Sequence, residues 1–209
     1  MKGLLLKEWY IIKKDCKYLL LLTVIFSLSA LFFGDNWIVL FLPSHICGSI
    51  SDILLSQDSK SRWSQYIGTL PYKKSQIVSA KYLISLLAQI AVLFVVGAAQ
   101  SINRIIAGNF VPGNYLFLLL LILLVTSLSY TLSLPFAFKT GENKNQAAYY
   151  ILTGVQILSL ILAINFSKKH PISEFQPNIT HCIFALVGIG LFLLSWFISV
   201  VLYKKSEIQ

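Results

Sequence analysis

Residues 115–138 read YLFLLLLILLVTSLSYTLSLPFAF, a run with no charged side chain. As a helix at 1.5 Å per residue it reaches about 36 Å, enough to cross a hydrocarbon core about 30 Å thick. It is about twice the length of a barrel strand and lacks the sustained alternation such a strand needs. Five further apolar runs stand around it, at 18–33, 37–57, 82–102, 147–166 and 182–203. The pattern predicts an all-α polytopic membrane protein with six transmembrane helices. Tyr18, Trp37, Tyr82, Tyr115, Tyr149, Tyr150 and Tyr203 fall near the run ends, where a ring and its polar tip can face lipid and water together.

Composition agrees. Of 209 residues 56% are hydrophobic and only 12% charged, about half the charged share of a soluble domain. A water-soluble globule would have too little charged surface to cover that much apolar side chain. The formal charge of +9 is not a nucleic-acid footprint, because the lysines sit in short clusters between apolar runs. Cys16, Cys47 and Cys182 are odd in number and widely spaced, which favours buried thiols over a disulfide framework or a zinc site.

The basic residues also set direction. With the N-terminus inside, cytoplasmic segments carry Lys2, Lys7, Lys13, Lys14, Lys17, Lys60, Arg62, Lys73, Lys74, Lys81, Lys139, Lys144, Lys204 and Lys205. Only Arg104, Lys168 and Lys169 fall outside. That asymmetry over short loops places both termini in the cytoplasm. The first run is not read as a cleaved signal, since seventeen residues of mixed charge precede it and no small-residue cleavage site follows.

Two segments outside the runs carry pattern. Residues 1–17 read as an amphipathic elbow helix along the inner interface, with Leu5, Trp9, Ile12 and Cys16 on one stripe and Lys7 and Lys14 turned the other way. Residues 58–81 form a cytoplasmic segment inside a single transmembrane domain, 18–205, with 206–209 as a tail. Within it Trp63, Tyr66, Ile67 and Leu70 share one face of a short helix that Leu70-Pro71 ends. Ser59 or Ser61 could cap that helix. A connector needs no large aromatic face, so this one is read as a docking surface, with interfacial anchoring as the alternative.

At this point the sequence resembles a family. The string Trp63…Tyr66…Thr69-Leu70-Pro71-Tyr72-Lys73-Lys74…Ile77-Val78…Ala80-Lys81-Tyr82 is similar to the cytoplasmic segment of small ABC-2 type permeases. Leu5-Leu6-Lys7-Glu8-Trp9 resembles their N-terminal helix, and Leu134-Pro135-Phe136…Lys139…Gly141…Lys144 their turn between spans four and five. Within the family, the chain is similar to permeases of phenol-soluble-modulin exporters and of lantibiotic-immunity transporters. The resemblance implies a bacterial plasma-membrane exporter subunit paired with a second identical or related permease and with cytoplasmic ATPases that bind ATP and Mg. It implies a coupling interface at Arg62, Trp63, Tyr66, Ile67, Leu70, Lys73 and Lys74, and an elbow helix using Leu5, Glu8, Trp9 and Ile12. It further implies an amphipathic peptide or peptide antibiotic as cargo.

The chain itself shows no motif for chemistry. It has no G-x-x-x-x-G-K-[ST] loop, no H-E-x-x-H and no G-x-S-x-G. No catalytic residue, cofactor site, metal site or nucleic-acid partner is expected in it, and for an active pump the motor must come from elsewhere. The second run holds Ser44, His45, Ser49 and Asp52, with the last three on one face. Together with Gln156 of the fifth run they are candidates for a cavity or a subunit interface, because unpaired polarity in hydrocarbon is costly. The hydroxyl ladder from Thr126 to Ser133, ahead of Pro135, is read as helix packing. A channel or secondary transporter, and a non-transporting immunity or assembly protein, remain open beside the exporter. Membrane lipid is a partner on every reading.

Overall fold

The computed structural model describes residues 2–29, 37–48, 50–61, 63–67, 69–108, 110–140, 154, 158, 161, 165 and 178–206. In chain order these form α1 (Lys2–Asp15), α2 (Lys17–Ser29), α3 (Trp37–Gly48), α4 (Ile50–Lys60), α5 (Trp63–Ile67), α6 (Lys74–Ile106), α7 (Pro112–Thr140) and α8 (Ile179–Ser206). The all-α class is as expected. The span count is not.

Among the described residues four stretches are long and apolar enough to cross a membrane: Val39–Asp58, Lys74–Ile106, Pro112–Phe136 and His181–Lys204. The expected six are corrected to four. Of the first apolar run the described part is α2, whose 13 residues rise about 20 Å, less than a 30 Å core, and residues 30–36 lie outside the described residues. The fifth run, 147–166, lies outside the described residues apart from Gly154, Leu158, Ile161 and Asn165, each helical and exposed. An apolar run states what a segment can dissolve in; it does not state how far its helix extends.

The long helices pack lengthwise, and their contacts give direction. Tyr82 meets Tyr130, Gln89 meets Thr126, and Tyr115 donates to the Gly97 carbonyl at 2.8 Å, so α6 and α7 are antiparallel. Leu124 lies against Gly188, the Thr131 carbonyl against Ser195, and Phe138 against Tyr203, so α7 and α8 run parallel. Thr140 and Ile179 therefore sit at opposite ends of the bundle. The turn between α6 and α7 uses Gly108 at φ 73°, a backbone region that a side chain disfavours.

Helix α6 has 33 residues and rises about 50 Å, some 20 Å more than the hydrocarbon core requires. Its first turns, with α1, α4, α5 and the end of α8, make one basic end of the bundle. There α1 does not sit apart from the other helices. Leu4 joins the cluster of Ile67, Ile77, Val78 and Tyr82, while Ile12 and Cys16 join Cys47, Ile50, Leu54 and Ile84. The buried stripe is Leu4, Glu8, Ile12 and Cys16; it keeps the expected Ile12 and Cys16 but has Leu4 and Glu8 where Leu5 and Trp9 were expected. Trp9 is exposed, Leu5 is half-buried and Lys7 turns inward. Backbone bonds from Cys16 to Ile12 (3.0 Å) and from Leu20 to Cys16 (2.8 Å) carry the ladder across the bend into α2.

The expected aromatic belt is also corrected. Tyr82, Tyr115 and Tyr203 are buried, whereas Tyr18 is exposed. The Tyr82 and Tyr115 hydroxyls find protein partners, which removes their need for interfacial water. Tyr149 and Tyr150 lie outside the described residues, as does the Trp37 side chain.

Candidate coupling site

Helix α5 is a single turn and a half held at the basic end. The face expected to point outward is divided. Ile67 is buried with Leu4, Ile77 and Val78, and Trp63 and Tyr72 pack on that cluster. Tyr66 instead stands 57% exposed, its ring 5.4 Å from that of Trp63. Helix α5 ends at Ile67, ahead of Pro71, in turns that bond Thr69 N–H to Tyr66 and Leu70 N–H to Ile67. Leu70 is half-buried, Lys73 exposed and Lys74 half-buried, while Arg62 lies outside the described residues. Ser61 does not cap α5; its hydroxyl donates back to the Gln57 carbonyl at 2.8 Å and so finishes α4. At the start of α6 the Lys73 N–H donates to Gln76 Oε1 at 3.0 Å.

Beneath α5 lies a knot of four charges. Lys7 Nζ donates to Glu8 Oε1 at 3.1 Å and also bonds Asp58 Oδ1. Lys81 Nζ reaches Glu8 Oε1 at 3.4 Å and bonds Asp58 Oδ2. The Lys7 ammonium lies 4.5 Å from the centre of the Trp63 ring. Two cations and two carboxylates balance, and the Glu8 and Lys81 side chains are each only 4% exposed. Burial at that level is tolerable because each charge has an opposite partner. The knot joins α1, α4 and α6 and touches α5. Tyr72 closes the same region from the other side, its hydroxyl 3.0 Å from where a Cβ on Gly3 would sit.

A second network fills the interior. Thr126 donates to the Ile122 carbonyl at 2.7 Å, so its oxygen accepts from Ser44 (3.0 Å) and from Gln89 Nε2. Tyr130 donates to Gln89 Oε1 at 3.2 Å. Higher on α8, Ser195 donates to the Thr131 carbonyl, the group that Pro135 cannot serve because proline has no N–H. With that hydrogen committed, Tyr82 donates to Ser195 (2.7 Å) and Ser199 donates to Tyr82 (2.9 Å). Tyr82, Tyr130 and Phe192 meet edge to face around this chain.

Of the cavity candidates, Ser44 and His45 are the two whose side chains fall among the described residues. Ser44 is buried and belongs to the packing network. His45 is half-buried and stacks on Phe41, with ring centroids 5.5 Å apart. Ser49 and Gln156 lie outside the described residues, and Asp52 is described only as helical backbone. The hydroxyl ladder of α7 does return bonds to its own backbone at Thr126, Ser127 and Thr131. Outside the spans, burial and then the neighbouring Asp15 push the Cys16 thiol up to about 11. Among the described residues no group of acidic, histidine and cysteine side chains is placed to hold a metal.

Sequence reading passed over Asp58 and Gln89 and treated Lys81 as a simple flank. A signal existed: only eight acidic residues occur in the chain, and Asp58 and Glu8 both fall in segments where lysine and arginine predominate. An acid retained there calls for a specific partner.

The geometry is that of a multi-pass membrane bundle with one charged end, on which a small helix presents Tyr66 to the outside. Residues 3–204 match the family described as ABC-2 family transporter protein. The chain belongs to that family and is a multi-spanning membrane permease. The family is one of permeases and not of catalytic domains. No curated protein and no solved structure matches the chain.

Proposed function

We propose that this permease is half of the membrane path of an ATP-driven exporter. A second identical or related permease completes the path, and separate ATPase subunits bind ATP and Mg and supply the work. The basic end faces the cytoplasm, because Lys2, Lys7, Lys13, Lys14, Lys60, Lys73, Lys74, Lys81 and Lys204 gather there and Arg104 lies at the other end. The observation that carries this reading is Tyr66, an exposed aromatic on a short helix whose other side is anchored by Ile67 and Trp63. A ring presented from a fixed base suits a cleft in a moving partner. Alternating access then follows from closure of the ATPase pair under α5. Resemblance to peptide-exporting permeases and an interior of hydroxyl, aromatic and aliphatic groups support an amphipathic peptide as cargo.

The test is purification from native membrane in mild detergent. A stoichiometric ATPase should co-purify, and Tyr66→Ala should weaken its retention by about tenfold or more while membrane insertion is unchanged. Tyr66 is a cleaner probe than Trp63, which also packs internally. Cargo efflux must stop with a hydrolysis-deficient ATPase. Undiminished assembly and efflux in Tyr66→Ala would remove the coupling role.

A further inference from the structure

We infer that Lys7 is a positioning residue for α5: one ammonium group ties the N-terminal helix, the end of α4 and the docking helix into a single body. The proposal rests on the coupling reading above for its consequence in transport, but its geometry is independent of it. Lys7 Nζ bonds Glu8 and Asp58 and lies over Trp63 at the same time. Among the described residues no other contact of the knot reaches α5. Lys81 bonds the same two carboxylates but remains on the α4 and α6 side. Loss of Lys81 therefore leaves α5 tied to α1, whereas loss of Lys7 releases α5 from the charges altogether and leaves it held by Ile67 and by packing of Trp63.

Neutrality makes the knot a joint and not merely a clamp. Each lysine contacts both carboxylates, so no pair is exclusive. Glu8 Oε2 is buried with no hydrogen-bond partner among the described residues. A slide of α1 by an ångström or two can exchange one Glu8 oxygen for the other at either ammonium without stranding a charge. The cation–π contact on Trp63 tolerates the same displacement, because ring and ammonium attract over a broad range of offsets. A push on α5 thus moves α1 with it, and through Asp58 and Lys81 reaches the end of α4 and the start of α6.

The experiment uses the full chain in lipid nanodiscs, with amide hydrogen exchange read by mass spectrometry. In Lys7→Met, exchange across Trp63–Ile67 and Lys2–Asp15 should accelerate by about tenfold, with α6 and α7 near Gln89 unchanged. Lys7→Arg, which keeps charge and ring contact, should return both segments to within about twofold of wild type. Charge-balanced Lys7→Met with Asp58→Asn guards against misfolding and should still leave α5 fast. The co-purified ATPase should remain bound to Lys7→Met but lose its response to cargo. Unchanged exchange of α5 in Lys7→Met, or equal effects of methionine and arginine, would overturn the inference. Failure of any ATPase to co-purify with wild type would instead defeat the proposed function, and the exchange comparison would still decide the role of Lys7.

Discussion

Pro135 and Ser195 should be energetically coupled, and a double-mutant cycle measures by how much. Proline at 135 leaves the Thr131 carbonyl without its helical donor, and Ser195 of α8 supplies the hydrogen instead. Ser195→Ala strands that carbonyl in a buried setting and removes the bond from Tyr82 as well. A stranded buried acceptor costs about 1–3 kcal/mol, while interhelical hydrogen bonds in membrane proteins average about 0.6 and reach about 1.7 kcal/mol. We therefore expect a loss of about 1–2 kcal/mol, or about 2–8 °C in Tm for a chain of this size. Pro135→Ala returns an N–H to the Thr131 carbonyl, so Ser195→Ala in that background should cost only about 0.5 kcal/mol. The coupling is then about 1 kcal/mol, read from thermal or SDS-induced unfolding of the four proteins in the same detergent. Ser199→Ala is the control, since it removes a donor to Tyr82 and leaves Thr131 served. Strict additivity of Pro135→Ala and Ser195→Ala would refute the assignment of Ser195 as the substitute donor.

Lys81→Met leaves Glu8 and Asp58 to share Lys7 alone and should cost about 3–5 kcal/mol of unfolding free energy, much of it regained by adding Asp58→Asn; a loss under about 1 kcal/mol would mean the knot is solvated. Gly188→Leu should separate α8 from α7, because Leu124 lies 3.3 Å from the position of a Cβ, and should destabilise by about 1–3 kcal/mol. Gly190→Leu, with nothing within 4 Å, should be neutral, and equal effects of the two would misplace the α7–α8 contact. Cys16, with its thiol raised from 9.0 to about 11, should carry about 100-fold less thiolate than an ordinary thiol at neutral pH. Its iodoacetamide rate, followed by mass spectrometry against exposed Cys182, should still climb tenfold per unit beyond pH 9, and a plateau near 9 would contradict its burial. The folded state favours the protonated thiol, so the stability this group contributes is intact below pH 9 and is lost as pH rises from 9 to about 11.

The parts of the fold legible in sequence are those set by solvent alone. Residues 82–102 and 115–138 could be read as spans because no charge interrupts them, and both fall inside long helices. The short helix between Asp58 and Lys81 was legible from the spacing of Trp63, Tyr66 and Ile67 and from the proline beyond. Its facing was not, because a stripe of apolar side chains says that something covers them and not what. Leu4 and Ile67 cover part of that stripe from within the chain. The same ambiguity misplaced Tyr82 and Tyr115, whose positions suit an interface as well as a core until their hydroxyl partners are known. Lys7 was assigned to the polar side of α1 from its own helix; Asp58, fifty-one residues away, turns it inward.

On the proposed reading, the two networks divide the labour of a transmitting bundle. Gln89 lies 15 residues from Lys74 and 17 from Ile106, near the midpoint of α6, and is fixed there by Thr126 and Tyr130 of α7. Each arm of α6 is then about 22–26 Å long. On the proposed reading, α5 and the knot load one arm, and α6 contains no proline at which the load could be lost. A displacement of about 2 Å at Lys81 about a pivot at Gln89 becomes about 4 Å at Ile106, since the lever arms are roughly 12 and 26 Å. Amplification of that kind requires the middle of the bundle to be stiffer than its basic end. On the proposed reading, the hydroxyls of α7 bonded to Ser44 and Gln89 supply that stiffness, and the shared pairing of Lys7 and Lys81 lets the basic end shift as one body.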